Sequence, residues 1–306
     1  MPNSLRSSLE NSLNSIEHSL GIYADGFVTL PAKSIYDKDL LALHKSIIDL
    51  CHIYIIGFLP NIEFVGARQN GEKLSLVFSI ANNQYVLEYG ISDGFSLVEL
   101  NGSFYLQDGS GDTIRFNKEL ILQKLGFQTQ AINFEVKYIG QSYGNDGSRN
   151  AIDRLLKHET LQRISLQGIP DGYYLSLLLI QIQPNNQLIT LFNPFAQNDG
   201  DSKSRILSGV DKLFNTTEQE CISLYEASLI RYFSPQYNKE FKNSFPSTNL
   251  KILQDCYEKD FSGIVAEICL DDLPYKLFSD SVEPAWQHII TYDLHEQAAR
   301  RMFFGL

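Results

Sequence analysis

Two stretches of the chain hold residue types that do chemistry. The first is YIGQSYGNDGSRNAIDRLLKH, residues 138–158. It reads as a strand end, a small polar loop and a helix that presents Arg154, Leu155 and His158. Arg154 and His158 are four residues apart, so a continuous helix sets both on one side. A guanidinium offers a planar fork of donors to an anion, and an imidazole titrates near neutral pH. The second stretch is EASLIRYFSPQYN, residues 226–238, where Glu226 shares a helix with Leu224, Leu229 and Ile230. Each residue also has an ordinary reading. Glu226 and Arg154 suit a solvated helix face, His158 a helix surface, Tyr138 strand-end packing, and Asn238 a turn after Pro235.

In their order along the chain, Y-I-G (138–140), R-L-L-K-H (154–158) and E…P-Q-Y-N (226–238) resemble the GIY-YIG nuclease family. The last stretch, with the trailing FKNSFP, is similar to the nuclease domain of bacterial excision-repair endonucleases. The resemblance spans roughly residues 130–246. It implies metal-assisted hydrolysis of a phosphodiester bond, which needs an activated water and stabilisation of the charge gathering on phosphorus. Carried over residue by residue, Glu226 would be the single protein ligand of one Mg2+ or Mn2+. A lone carboxylate suits Mg2+, which keeps much of its hydration shell. Arg154 would hold the scissile phosphate, Tyr138 would contact the water or phosphate, and His158 would shuttle a proton. Asn238 would fix the backbone around the site. Gly140 and Arg149 fall on the substrate side.

The chain departs from the family pattern in two places. FQTQAINFEVKYIG holds no tyrosine ahead of Tyr138, so the first motif, G-I-Y, has no counterpart there. Tyr143, Tyr173 and Tyr174 are candidates to replace it in space. The loop before Arg154 is enlarged by YGNDGS. The resemblance therefore implies an endonuclease acting on DNA, or on RNA, and its unfamiliar flanks suggest restriction, mobile-element or anti-phage defence. The missing tyrosine and the acidic composition favour the rival: a catalytically silent GIY-YIG-like module that binds nucleic acid or a protein partner.

The elements that must position these residues follow from pattern and composition. The chain has 306 residues, 43% apolar and 20% charged, an ordinary balance for packed domains. No apolar run reaches the length of a membrane span, and MPNSLRSSLENSLNS lacks the apolar core of a signal peptide. Four widely spaced cysteines without a CxxC pair suggest reduced thiols and a cytoplasmic protein. The net charge of −11 excludes a generically basic nucleic-acid binder. Residues 135–245 nevertheless hold 11 Lys and Arg against 12 Asp and Glu, so the acidity lies in the flanks.

Leu5, Leu9, Leu13, Ile16 and Leu20 space as one stripe of an amphipathic helix, able to cap its own domain or to form a homodimer. A second helix is predicted over 38–52. Short β-rich runs with turn residues between them follow, from NIEFVGA to SFYLQD, then a helix ending at Gly126. Asp108, Ser110, Asp112 and Glu119 fall at calcium-loop offsets, but Thr113 stands where that loop needs Gly, so a turn explains them. Strand 132–139, a helix over 149–165, two further strands and a helix begun at Thr216 or Thr217 make an α/β unit. The tail contains a helix, the strand GIVAEICL and a last helix around PAWQHIITYDLHEQAARRMFF, whose mixed face would carry His288, Asp293 and His295. The expected fold is α+β: an N-terminal meander domain (1–130), a small GIY-YIG-like α/β domain (131–246) and a C-terminal α/β extension (247–306).

Overall fold

The computed structural model describes residues 16–143, 150–183, 187–192, 202–246 and 250–294. Its architecture grows from β2 (Ile53–Pro60), IYIIGFLP, every residue of which is buried. A strand with no exposed face needs a neighbour on each edge and cover on both sides. β9 (Asn133–Gln141) pairs with it antiparallel on one edge, and β10 (Tyr173–Ile182) on the other. β10 in turn pairs with the second half of β1 (Ile16–Pro31). The first half of β1 takes β11 (Gln187–Phe192) antiparallel and β12 (Gly263–Cys269) parallel. The nine-stranded sheet is completed by β15 (Gln287–Asp293) beside β12, and by β13 (Lys276–Ser279) and β14 (Val282–Ala285) beyond β9. β14 and β15, the two ends of the strand order, are separated in the chain by Trp286 alone, and the sheet is nearly closed.

Between β2 and β9 the chain leaves this sheet. β3 (Ile62–Asn70), β4 (Lys73–Ile80) and β5 (Asn83–Gly90) form one antiparallel meander. β6 (Ser96–Leu100), β7 (Ser103–Gln107) and β8 (Thr113–Arg115) form a second. Asn101-Gly102, both at positive φ, makes the tight β6–β7 connection that this dipeptide favours. Asp108 accepts from the backbone N–H of Ser110 and Asp112 at 3.0 and 2.9 Å, the turn that the spacing suggested. α3 (Lys118–Thr129), capped by the Asn117 side chain, returns the chain to β9; it follows α1 (Lys38–Leu43) and α2 (Lys45–Ile48), which precede β2.

Four helices after β9 place the remaining side chains. α4 (Ala151–Leu155) and α5 (Glu159–Gln167) lie before β10, and α6 (Ser202–Asn215) follows β11. α7 (Glu218–Phe233) opens with a capping box in which Thr217 and Glu220 satisfy each other's backbone N–H. It buries nine residues from Cys221 to Phe233, eight of them in the main core shared with β2, β9 and β12. α8 (Lys251–Glu258) packs against it.

Several expectations change. Ile16 and Leu20 belong to β1, not to a helix; Leu5, Leu9 and Leu13 lie outside the described residues. Residues 16–22 are buried without alternation, so a helical spacing arose by coincidence in a strand covered on both faces. A homodimer helix therefore cannot run through Leu20. The helix expected over 149–165 breaks at Leu156–His158, because His158 takes extended φ/ψ and caps α5. The final helix is replaced, over its described part, by β14 and β15, whose pairing with β13 and β12 overrides local preference. His288 is accordingly a buried strand residue bonded to the Tyr232 hydroxyl, and His295 lies outside the described residues. Sheet hydrogen bonds cross both expected domain boundaries, since β1 and β2 share a sheet with β9–β15. The four cysteines are free, and no described helix is long and apolar enough to cross a membrane.

Candidate active site

The site is built on the β2–β9 pair. Ile56 faces Tyr138 while the next pair is Gly57 with Val136, so Lys137 is the extra residue of a bulge. Asn238 holds the strand just beyond it. Its Nδ2 donates to the Ile139 carbonyl (2.8 Å) and its Oδ1 accepts from the Ile139 N–H (2.9 Å). The Tyr237 N–H donates to the Lys137 carbonyl at 3.1 Å. The segment after α7 thus acts as a backbone clamp on 137–139, and it reaches that position because Ser234, at φ +45°, ends the helix in the left-handed region.

Tyr54, at the start of β2, was not among the candidates from sequence. It is 1% exposed, and its ring lies over Gly140: a Cβ at 140 would stand 2.6 Å from the phenol Cζ and oxygen. The Tyr54 ring stacks on Tyr138 with centroids 6.2 Å apart and meets His158 edge-on at 5.5 Å. Tyr138 and His158 are 5.0 Å apart. The Tyr54 and Tyr138 hydroxyls lie close enough to act on each other electrostatically, and the Arg154 guanidinium acts on the Tyr54 hydroxyl. α4 holds Arg154 there through Ala151, whose N–H donates to the Cys51 carbonyl at 3.0 Å, and through the burial of Ala151, Ile152 and Leu155 against the Tyr54 face of the sheet.

His158 is buried, and its Nδ1 accepts from the Leu161 N–H at 3.2 Å, which leaves the proton of the neutral ring on Nε2. Burial, and then the Arg154 charge, push its pKa down to about 4. With its pKa pushed down, the ring favours the neutral form near pH 7 and offers an N–H donor there.

Glu226 is half-buried on α7. Burial pushes its carboxyl up to about 8, with Glu240 adding to the rise; hydrogen bonds from Gln141 and the Arg154 charge oppose it. Burial and the charge of Glu226 likewise raise the Tyr138 hydroxyl, and burial with Tyr138 raises that of Tyr54. Tyr138, Arg154, His158 and Glu226 are therefore brought together, with Tyr54 and Gln141 added. Gly140 is buried as the floor under Tyr54, and Arg149 lies outside the described residues. Of the other tyrosines, Tyr143 donates to Glu218 at 3.0 Å, and Tyr173 and Tyr174 sit beside Pro60 and Leu59 at the opposite end of β2 from Tyr54. The one sequence signal for Tyr54 was His52-Ile53-Tyr54, a G-I-Y-like triplet inside an apolar strand far upstream.

Among the described residues no group of three or more His, Cys, Asp or Glu converges as a metal cage. The donor set is a single carboxylate with a second, Glu240, close enough to raise it. That set fits a hydrated hard cation: a carboxylate pushed toward its protonated form by burial is the group that a divalent ion would return to the ionised form. Comparison with protein-family models gave no match, and comparisons with curated proteins and with solved structures gave none either.

Proposed function

We propose that the chain is an endonuclease of the GIY-YIG type that hydrolyses phosphodiester bonds of DNA, or of RNA, with one Mg2+ or Mn2+. The observation that carries this reading is the convergence of Tyr54, Tyr138, Arg154, His158 and Glu226 from five separate elements on one cluster. Tyr54 supports it further, because it supplies the tyrosine that the stretch before Tyr138 lacks. A divalent ion on Glu226 would supply Lewis-acid stabilisation of charge at phosphorus.

The chain's own residues perform the rest. Arg154, an exposed residue whose charge also acts on Tyr54, offers its N–H groups to a phosphate oxygen. The Tyr138 hydroxyl, half-exposed and backed by the buried Tyr54 ring, contacts a water and orients it toward phosphorus. The raised pKa values of the two tyrosines keep both neutral, so they steer the water without holding a standing charge. His158 packs against both tyrosine rings and fixes them.

The rival reading, a silent binding module, has one observation in its favour: at pH 7 and without a cation the Glu226 carboxyl is largely protonated. A supercoiled plasmid and a structured RNA, incubated with Mg2+ or Mn2+, separate the two. The wild type should nick at least one of them, Tyr54→Phe should slow nicking by about 10²-fold or more, and Glu226→Gln should abolish it. A wild type as inert as Glu226→Gln on both substrates, with both metals, leaves the binding module as the better account.

A further inference from the structure

The two meanders inserted between β2 and β9 do not close on each other. They meet where Phe64 of β3 and Phe104 of β7 cross edge to face, with centroids 5.6 Å apart and planes at 82°. Beside that crossing opens a cleft of about 580 Å³, within the range of about 300–1,000 Å³ typical of small-ligand sites. Its walls are aromatic: Phe64, Phe78, Phe104 and Phe116. Phe64 is 45% exposed, which is unusual for a ring that could have been packed away.

The polar side chains at this cleft give it a sign. Arg115 and Lys118 line it, and no carboxylate does, on a chain whose net charge is −11. Among the described residues neither cation has an ion-pair partner; Arg115 lies only over the Tyr105 ring, at 5.7 Å from its centroid. Lys118 also opens α3, so the positive end of a twelve-residue helix adds to the charge. Rings for stacking beside unpaired cations match one ligand chemistry: an aromatic heterocycle joined to a phosphate.

We propose that this cleft takes an unstacked base of the nucleic-acid substrate, stacked on Phe64 and Phe104, with the adjoining phosphate on Arg115 and Lys118. The proposal rests on the nuclease reading for the identity of the ligand. A duplex keeps its bases stacked on each other, so a site of this kind selects single-stranded or locally opened substrate. The insertion is then the substrate-selecting part of the molecule, attached to the site by the two strands that carry Tyr54 and Tyr138.

The test is fluorescence anisotropy with the full chain, in EDTA, using a short labelled single-stranded DNA, the same sequence as RNA, and its duplex. The wild type should bind a single strand more tightly than the duplex. Phe104→Ala should weaken single-strand binding by about tenfold. Arg115→Gln, an exposed change that spares the fold, should weaken it and make the salt dependence shallower by about one in log–log slope. Equal binding of single strand and duplex, or both variants within about twofold of wild type with an unchanged salt slope, overturns the proposal. Nicking by the wild type with no effect of Phe104→Ala or Arg115→Gln on binding sinks the cleft alone. Single-strand binding lost in those variants, in a protein that never nicks, sinks the nuclease reading and keeps the cleft.

Discussion

The phenol of Tyr54 lies directly on the Cα of Gly140, with no room for a methyl group between them. That contact joins a residue of β2 to one of β9 and sets the height of the ring that holds Tyr138, His158 and Arg154 together.

Gly140→Ala should therefore displace Tyr54 rather than the strand, because Ile139 is fixed from behind by Asn238. Overpacking of this kind costs about 1–3 kcal/mol. The expected outcome is a modest fall in the urea midpoint and a disproportionate loss of plasmid nicking. Full activity in a stable Gly140→Ala protein would show that the ring position is irrelevant.

Asn238→Ala removes both side-chain partners of the Ile139 peptide group in a buried setting. Leaving two buried backbone groups unpaired should cost on the order of 2–4 kcal/mol. Urea denaturation measures this, and a change below about 1 kcal/mol would mean that water or the backbone replaces the clamp.

Glu226→Gln should stabilise the protein, in a pH-dependent way. The folded carboxyl titrates at about 8, above its ordinary 4.5, so the folded chain keeps a proton that the unfolded chain releases. The stability that this protonation brings is present below pH 4.5 and is lost as pH rises through 8. The glutamine variant does not lose it. Its advantage should be near zero at pH 5 and on the order of 2–4 kcal/mol at pH 8.5. Millimolar Mg2+ should narrow that gap by stabilising the wild type alone, a readout of metal binding that needs no catalysis.

His158→Asn tests the opposite sign. The folded imidazole titrates at about 4, below its ordinary 6.5, so the unfolded chain binds a proton that the folded one refuses. Stability from this group is present above pH 6.5 and is lost as pH falls toward 4. Asparagine keeps an N-cap for α5 and does not titrate. Between pH 7 and pH 4.5 the wild type should lose about 2–3 kcal/mol more than the variant. Parallel acid limbs would show that His158 is protonated in the folded protein. Some acid lability should persist in the variant, because burial also lowers His18 and His288.

Much of the local structure was legible from residue type. The meander from Ile62 to Gln107 follows from β-rich runs punctuated by Gly and Asn, and the start of α7 follows from Thr217 and Glu220 as a capping pair. Tyr138, Arg154, Glu226 and Asn238 could be picked out because their types sit in a recognisable order. The turns and caps are facts of neighbouring residues, which local physics reads well; the order of the site residues was legible only through the resemblance to a known family.

Only the tertiary structure decided what pairs across the chain. Tyr54 joins the site because β2 hydrogen-bonds to β9 past an entire inserted unit, and no local periodicity encodes that partner. Ile16 and Leu20 became strand because β11 and β12 pair with that half of β1, and residues 287–293 became strand because the other edge of β12 was there to be satisfied. Burial against Tyr54 and Tyr138 pushes the His158 pKa down, a property of the packed interior. The sequence alone determined which side chains were available and which turns and caps they favour. The long-range hydrogen bonding and desolvation of the folded sheet determined which of them meet, and in what protonation state.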